Sequence, residues 1–171
     1  MRCTATAERY LQERIFVGNR EIQAADKKGR VATTLSASQQ QQISHADTFF
    51  IATDNPERGA DVSHKGGNPG FVHVIDERRI AFPDYNGNSM FNTLGNVTVN
   101  PHAGLLFIDF DSGRTLQLTG RASIDWNPER VRTFPGAERV IGFALEQIID
   151  NPAGFALIAK FRQFSRNNPK L

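Results

Sequence analysis

The sequence predicts a mainly β protein with flanking helices, and three observations carry that prediction. Residues 115–126 alternate between apolar and polar side chains, which is the period of a strand with one buried face. Short aromatic and β-branched runs recur over residues 48–110, separated by turn-forming residues. The pattern becomes helical between residues 88 and 100 and in short flanking segments. Antiparallel strands joined by tight turns are therefore expected.

The first 46 residues are polar and are expected to form a helical or extended segment. Ser36 or Ser38 can cap a short helix that leads into the first strand. The glutamines at residues 39–42 are typical of a solvated helix face, and a low-complexity interaction tract is the alternative. Residues 47–171 then form the main domain, and 171 residues suit a single domain overall.

Two hairpins are expected in the first half of that domain. Residues 48–53 and a strand beginning at Ala60 flank the turn-forming sequence DNPERG. Residues 71–75 and 80–82 flank a second turn. Residues 104–110 are almost continuously apolar, so this strand should be covered on both faces.

Helical patterns are predicted at two places in the domain. Met90, Leu94 and Val97 have helical spacing, and Pro101 ends that segment. Near the C-terminus, Asn151 can cap a helix that starts with Pro152 and carries an apolar stripe of Leu157, Phe161 and Phe164. Residues 139–149 fit either a strand or a helix.

Composition excludes several classes of function. Twenty basic and eighteen acidic residues leave a net charge of +2, which argues against binding nucleic acid or a membrane surface. The single cysteine, Cys3, cannot form an intramolecular disulfide and fits a reducing compartment. No apolar run approaches the ~20 residues that span a bilayer, and the first residues do not resemble a signal peptide. A soluble cytoplasmic protein is expected.

Three segments resemble the pyridoxamine 5'-phosphate oxidase-like, FMN-binding split-barrel family. They are FPDYNGNS at residues 82–89, NPHAGLLF at 100–107 and TLQLTG at 115–120. The resemblance implies a six-stranded antiparallel split β-barrel with one inserted helix, and it favours a strand at residues 139–149. It also implies FMN as cofactor and a homodimer with flavin at the subunit boundary.

A flavin phosphate needs donors and positive charge, and one strand end supplies candidates for both. Ser63, His64, Lys65 and Gly66, followed by a second glycine, combine a hydroxyl, a cation and backbone that an anion can approach closely. Lys65 is the first candidate for the phosphate. The alternative is a wide turn with an exposed lysine.

Asn88 and Ser89 precede the inserted helix, whose N-terminus would present unpaired amides to an anion. Plain N-capping by Asn88 is the alternative. In the family's oxidases this place carries a Ser-Arg-Lys run, and an earlier strand carries an Arg and a Lys that grip the phosphate. Here the corresponding residues are Gly87 to Ser89 and, earlier, Gly70 with Ile75 or Asp76. Oxidation of pyridoxamine 5'-phosphate is therefore not expected.

Gln117 and Arg121 share the polar face of the strand at residues 115–126 and could meet flavin across a subunit boundary, or they could be ordinary surface residues. Trp126 could wall the flavin ring or belong to the core. The four histidines lack metal-ligand spacing, so no metal site is predicted. No catalytic acid or base can be named.

These features favour an FMN-dependent oxidoreductase that takes a hydride from a small-molecule reductant. A non-catalytic flavin carrier is the alternative from another class, and haem or a deazaflavin in the same cleft is a third possibility.

Overall fold

A computed structural model describes residues 10–20, 29–86 and 92–170, which form ten strands and three helices. The strands are β1 Glu13–Asn19, β2 Arg30–Ala32, β3 Thr48–Asn55, β4 Gly59–Gly66, β5 His73–Asp76, β6 Arg79–Tyr85, β7 His102–Ile108, β8 Thr115–Asp125, β9 Ala137–Asn151 and β10 Leu157–Gln163. The helices are α1 Ala37–His45, α2 Asn92–Val99 and α3 Pro128–Arg132.

Eight of these strands form one antiparallel sheet in the order β4-β3-β7-β8-β9-β6-β5, with β2 also paired to β9. The sheet curls on itself, since Lys65 at the end of β4 reaches Asp84 of β6 with a separation of 3.2 Å. This is the predicted split β-barrel. Six of its strands are long, and the short strands β2 and β5 bring the number to eight.

The core of the barrel is built around Phe49 of β3, which is fully buried. Its ring centroid lies 4.9 Å from that of Phe82, 5.0 Å from that of Phe107 and 5.8 Å from that of Phe71. These partners come from distant parts of the chain, so the ring joins several strands through apolar burial and aromatic contact.

Strand β8 confirms the predicted alternation. Leu116, Leu118 and Ala122 are buried, whereas Gln117 and Arg121 are exposed. The hairpin of β3 and β4 is confirmed as well, and residues 139–149 belong to strand β9. Antiparallel pairing to both β6 and β8 resolves the ambiguity of that segment.

Helix α1 is capped by Ser36, whose hydroxyl accepts a hydrogen bond from the backbone N–H of Gln39. The interpretation of the glutamines as a solvated face is wrong for two of them. Gln39 is buried and donates through Nε2 to Asp150 Oδ2 at 2.8 Å, and both amide atoms of Gln42 are buried. Helix α1 therefore packs two glutamines against the barrel.

The predicted C-terminal helix is wrong, because residues 157–163 form strand β10, paired antiparallel with β1. Asn151 ends strand β9 instead, and its Oδ1 accepts a hydrogen bond from the N–H of Ala153 in a turn. Backbone pairing with a strand about 150 residues earlier overrides the local helical spacing. We call the pair β1 and β10 the ribbon.

The N-terminal residues also contribute to the barrel, since β2 pairs with residues 148–150 of β9. Helix α2 begins at Asn92, and its predicted start at residues 88–90 lies outside the described residues. Within the described part of the chain, no helix is long and apolar enough to cross a membrane.

Candidate functional site

Four charged side chains meet where β4 approaches β6. Asp84 lies between two cations, with Lys65 Nζ 3.2 Å from its Oδ1 and Arg139 Nε 3.1 Å from its Oδ2. Glu138 forms a further ion pair with Arg139. The side chains of Lys65, Asp84 and Arg139 are 20%, 9% and 10% exposed, so water reaches them at their edges. We call these four residues the Asp84 cluster.

Strand register explains why these residues meet. Asp84 and Arg139 are directly opposed on β6 and β9, where opposite charges stabilise cross-strand pairs. Lys65 is the penultimate residue of β4 and is opposed to the buried Phe49 on β3. Its long side chain therefore passes along the barrel wall before its ammonium meets Asp84.

Ser63 links the same strand to helix α2. Its hydroxyl donates to Asp61 Oδ2 at 3.0 Å and accepts from Thr93 Oγ1 at 3.0 Å. The hydroxyl therefore has a structural use in attaching the inserted helix to the barrel. Thr53 on β3 similarly accepts from the amide of Asn96 at 3.1 Å.

His64 is neutral at physiological pH. Burial is the main cause that lowers the pKa of its imidazole to about 4, and the nearby charges of Lys65 and Arg14 contribute to the same shift. Its Nε2 lies 2.9 Å from Thr48 Oγ1. His64 therefore adds no positive charge for a phosphate.

The glycines of the predicted phosphate turn are explained by packing within the chain. A Cβ on Gly66 would lie 2.2 Å from the carbonyl oxygen of Tyr10, and one on Gly67 would lie 2.6 Å from Cγ of Phe71. The N–H of Gly67 already donates to the carbonyl of Asp47 at 3.1 Å. The carbonyl of Asp47 therefore already accepts the hydrogen bond that this amide was expected to donate to an anion.

Gln117 and Arg121 lie apart from the Asp84 cluster, on the exposed face of β8. Arg121 Nη1 is 3.0 Å from Nε2 of His102, whose Nδ1 is 2.9 Å from Asn100 Oδ1. Strand β8 is three positions from β4 along the sheet, and on the adjacent β9 the residues opposed to Arg121 and Gln117 are Ala144 and Ile149, further along that strand from Arg139. Asn88 and Ser89 lie outside the described residues.

Neither Asp84, which pairs with Lys65, nor Arg139, which pairs with Asp84, was predicted from the sequence as a site residue. Asp84 was noted only within the FPDYNGNS segment, and Arg139 only as the start of an ambiguous run. Trp126 is 65% exposed, so it is not a core residue, and its ring centroid lies 5.4 Å from the guanidinium carbon of Arg139. Asp84 lies on a strand that must face the barrel, and a charged side chain buried there needs a partner. That is the signal in the sequence that would have indicated Asp84.

The Asp84 cluster contains side chains of the type that would bind a phosphate-bearing cofactor. Lys65 and Arg139 supply two cations close to one another, which suits the charge of a flavin phosphate. Asp84 and Glu138 offset these charges, so a phosphate would share or replace the contacts that Lys65 now makes with Asp84. Such a site would bind more weakly than a clamp made of cations alone.

The sequence of this chain matches a family model described as pyridoxamine 5'-phosphate oxidase over residues 35–165. That segment contains β3 to β10 and all three helices. None of the curated proteins is similar in sequence to this chain.

Solved structures resemble the fold at low sequence identity. HupZ from Group A Streptococcus is 12% identical, with a TM-score of 0.57 over 71% of this chain and 98% of that protein. A candidate pyridoxamine 5'-phosphate oxidase from Lactobacillus delbrueckii is 16% identical, with a TM-score of 0.56 over 71% and 98%. A Clostridium acetobutylicum protein related to general stress protein 26, of the pyridoxinephosphate oxidase family, is 10% identical, with a TM-score of 0.50 over 70% and 89%. At these identities the likeness shows the fold alone.

Proposed function

Because this chain belongs to the pyridoxamine 5'-phosphate oxidase family, we propose that it binds FMN and acts as an oxidoreductase. The observation that carries the proposal is the pair of cations, Lys65 and Arg139, which flank Asp84 where β4 approaches β6. A phosphate placed there would meet the ammonium of Lys65 and the guanidinium of Arg139 in competition with Asp84 and Glu138, in a partly buried setting where electrostatic attraction is stronger than in water.

A bound flavin would supply the redox chemistry, accepting a hydride from a reduced donor and passing electrons to an acceptor. The protein would position the cofactor. Lys65 would hold the phosphate, and the bond from Thr93 to Ser63 would keep helix α2 against β4. The aromatic core around Phe49 would keep the end of β4 rigid beneath the site.

The substrate is proposed to differ from pyridoxamine 5'-phosphate. The family's basic residues are replaced at residues 87–89, and the Asp84 cluster contains as many carboxylates as cations. A substrate with its own phosphate would find little additional positive charge at this cluster. We expect little or no turnover of pyridoxamine 5'-phosphate.

The proposal includes a cytoplasmic homodimer with flavin at the subunit boundary. Gln117 and Arg121 are exposed on β8 and distant along the sheet from Lys65, which suits a contribution to the partner's flavin. Light scattering of the flavin-loaded protein at micromolar concentration tests this assembly. A monomer that retains flavin would contradict it.

The function is tested by reconstituting the purified protein with FMN, recording its absorption spectrum and then adding NADH or NADPH. The proposal predicts a flavin spectrum that bleaches with the reductant and recovers when oxygen is admitted. A stable yellow complex that neither reductant bleaches would retain flavin binding and contradict the oxidoreductase. Absence of a flavin complex would contradict both.

A further inference from the structure

The two ends of the described chain meet at the turn that follows Lys65. Residues 10–12 lead into β1 and residues 165–169 follow β10, so both segments extend the ribbon at the same end. We call these two segments the strap. Neither segment contributes a residue to the buried apolar clusters that the described residues form. Hydrogen bonds and an aromatic contact attach the strap to the barrel.

Tyr10 lies across the ends of two strands. Lys65 and Asp84 are the penultimate residues of β4 and β6. The residues that end these strands, Gly66 and Tyr85, both contact Tyr10. Its carbonyl oxygen packs against Gly66, where a Cβ would lie 2.2 Å from it, and its ring centroid lies 5.1 Å from that of Tyr85. The strap therefore contacts both strands one residue beyond the ion pair of Lys65 and Asp84.

Three side-chain amides attach the strap to the turn. Gln12 is buried, and its Oε1 accepts hydrogen bonds from the N–H of Ser165 at 2.8 Å and from Nδ2 of Asn168 at 3.2 Å. Asn68, in the turn, donates through Nδ2 to the carbonyl of Pro169 at 2.9 Å and accepts from Nδ2 of Asn168 at 3.0 Å. Each such bond contributes modestly to stability, so the strap can open locally while the barrel stays folded.

The fold leaves little of the Lys65 and Asp84 side chains open to a phosphate, since they are 20% and 9% exposed. The next residue on β6, Tyr85, is covered as well. Burial raises the pKa of its hydroxyl to about 12, and the neighbouring Tyr10 contributes to the same shift. A phosphate contacts its partners through several oxygens, so a covering segment has to move before it can bind Lys65. The strap is attached beside both groups without core burial, and it can therefore move at a small cost.

We propose that the strap closes the barrel over the ion pair of Lys65 and Asp84, and that it opens to admit and release the phosphate of the ligand. The inference rests on the proposed FMN site. It adds that the two ends of the chain control the rate at which the phosphate enters, whereas Lys65 controls its affinity. Riboflavin has no phosphate and does not require the strap to open.

The test is stopped-flow fluorescence of FMN and of riboflavin mixed with the wild type and with Asn68→Ala, which removes both hydrogen bonds from the turn to residues 168 and 169. The variant should raise the association and dissociation rate constants of FMN about tenfold each, because the lost bonds favour the open strap by about that factor. The Kd should change by less than about threefold, and the riboflavin rates should stay within about twofold. Unchanged or slower FMN association in the folded variant would overturn the proposal.

Asn55→Ala is the matched control. Asn55 ends β3, and its Oδ1 accepts from the N–H groups of Glu57 and Arg58 at 2.9 and 3.2 Å in the turn that precedes β4. This variant loses two hydrogen bonds from a turn but none from the strap, so its FMN rates should stay within about twofold of the wild type. An equal acceleration in Asn55→Ala would show that the rates respond to any loosening of the hairpin, and the proposal would fail.

Tyr10→Phe is a milder variant. It loses the hydrogen bond from the Tyr10 hydroxyl to the carbonyl of Asn86 at 3.0 Å and keeps the ring against Tyr85. FMN association should become about threefold faster, since one bond is lost rather than two. If Asn68→Ala does not fold, unchanged FMN association in Tyr10→Phe overturns the proposal.

Access to Lys65 can also be measured without a flavin, by limited acetylation with acetic anhydride and peptide mass mapping. Asn68→Ala should raise the acetylation rate of Lys65 about tenfold, while Lys160, which is exposed on the ribbon, should keep its rate within about twofold. Absence of FMN binding would contradict the proposed function, and the acetylation rate would then decide the role of the strap by itself. Equal Lys65 rates in the wild type and Asn68→Ala would overturn the inference.

Discussion

The barrel and the ribbon both contain aromatic pairs, but they bury them to very different extents. Phe49 is fully buried among three other phenylalanine rings, whereas Phe161 of the ribbon is 46% exposed and contacts Phe164. In the barrel several strands surround one side chain. In the ribbon two strands leave one face open, so the backbone pairing of β1 with β10 accounts for its conformation more than side-chain burial does.

This difference predicts where substitutions should act on stability. Phe49→Ala should have the largest effect, lowering the free energy of unfolding by about 3–5 kcal/mol, because it leaves a cavity among the surrounding rings. Urea denaturation measures the change, and Phe49→Leu should lose less. A loss below about 1 kcal/mol for the alanine variant would show that the barrel does not depend on this residue.

The pH dependence of the free energy of unfolding tests the burial of His64 in the barrel wall. Its pKa is about 4 in the folded protein against an ordinary value of 6.5, so the unfolded chain binds more protons between these pH values. The free energy of unfolding should therefore fall as the pH is lowered from about 6.5 to 4, by on the order of 3 kcal/mol.

Urea midpoints at pH 7.5, 5.5 and 4.5 would show this trend for the wild type. His64→Gln should have a smaller slope over the same range, since it removes the titrating group and retains a side chain that can reach Thr48. Parallel slopes in the two proteins would contradict the assignment to His64.

The smallest effect is expected in the ribbon. Phe161→Ala should lower the free energy of unfolding by less than about 1 kcal/mol, because its side chain is already half in solvent. A loss as large as that of Phe49→Ala would remove the contrast between the two regions and would indicate that the exposed face of the ribbon is covered in solution.

The same contrast explains how much of the fold could be predicted from sequence. Strand β8 and the hairpin of β3 and β4 have local signals, an alternating pattern and turn-forming residues, and both were predicted correctly. Strand β10 has no such signal. Leu157, Phe161 and Phe164 fit a helix, and the partner that makes the segment a strand lies near the other end of the chain.

Prediction of the candidate site was limited in a similar way. Lys65 was identified from its own neighbourhood, a cation beside two glycines. Its partner Asp84 was not identified, because the contact forms only when the sheet curls and brings β4 to β6. The burial of the Gln42 amide could not be predicted, because a helix made of polar residues does not indicate which of its sides is covered by the rest of the chain.

Lys65 is the residue that we propose to bind the phosphate of a flavin. The direct measurement is a fluorescence titration of FMN and of riboflavin, which lacks the phosphate, into the wild type and Lys65→Ala. Loss of one charged hydrogen bond costs ~1.5–3 kcal/mol, so the variant should bind FMN roughly ten- to hundredfold more weakly and riboflavin nearly as well as the wild type. Unchanged FMN affinity in the folded variant would contradict the claim, and equal weakening of both flavins would show that Lys65 acts only through the structure of the barrel.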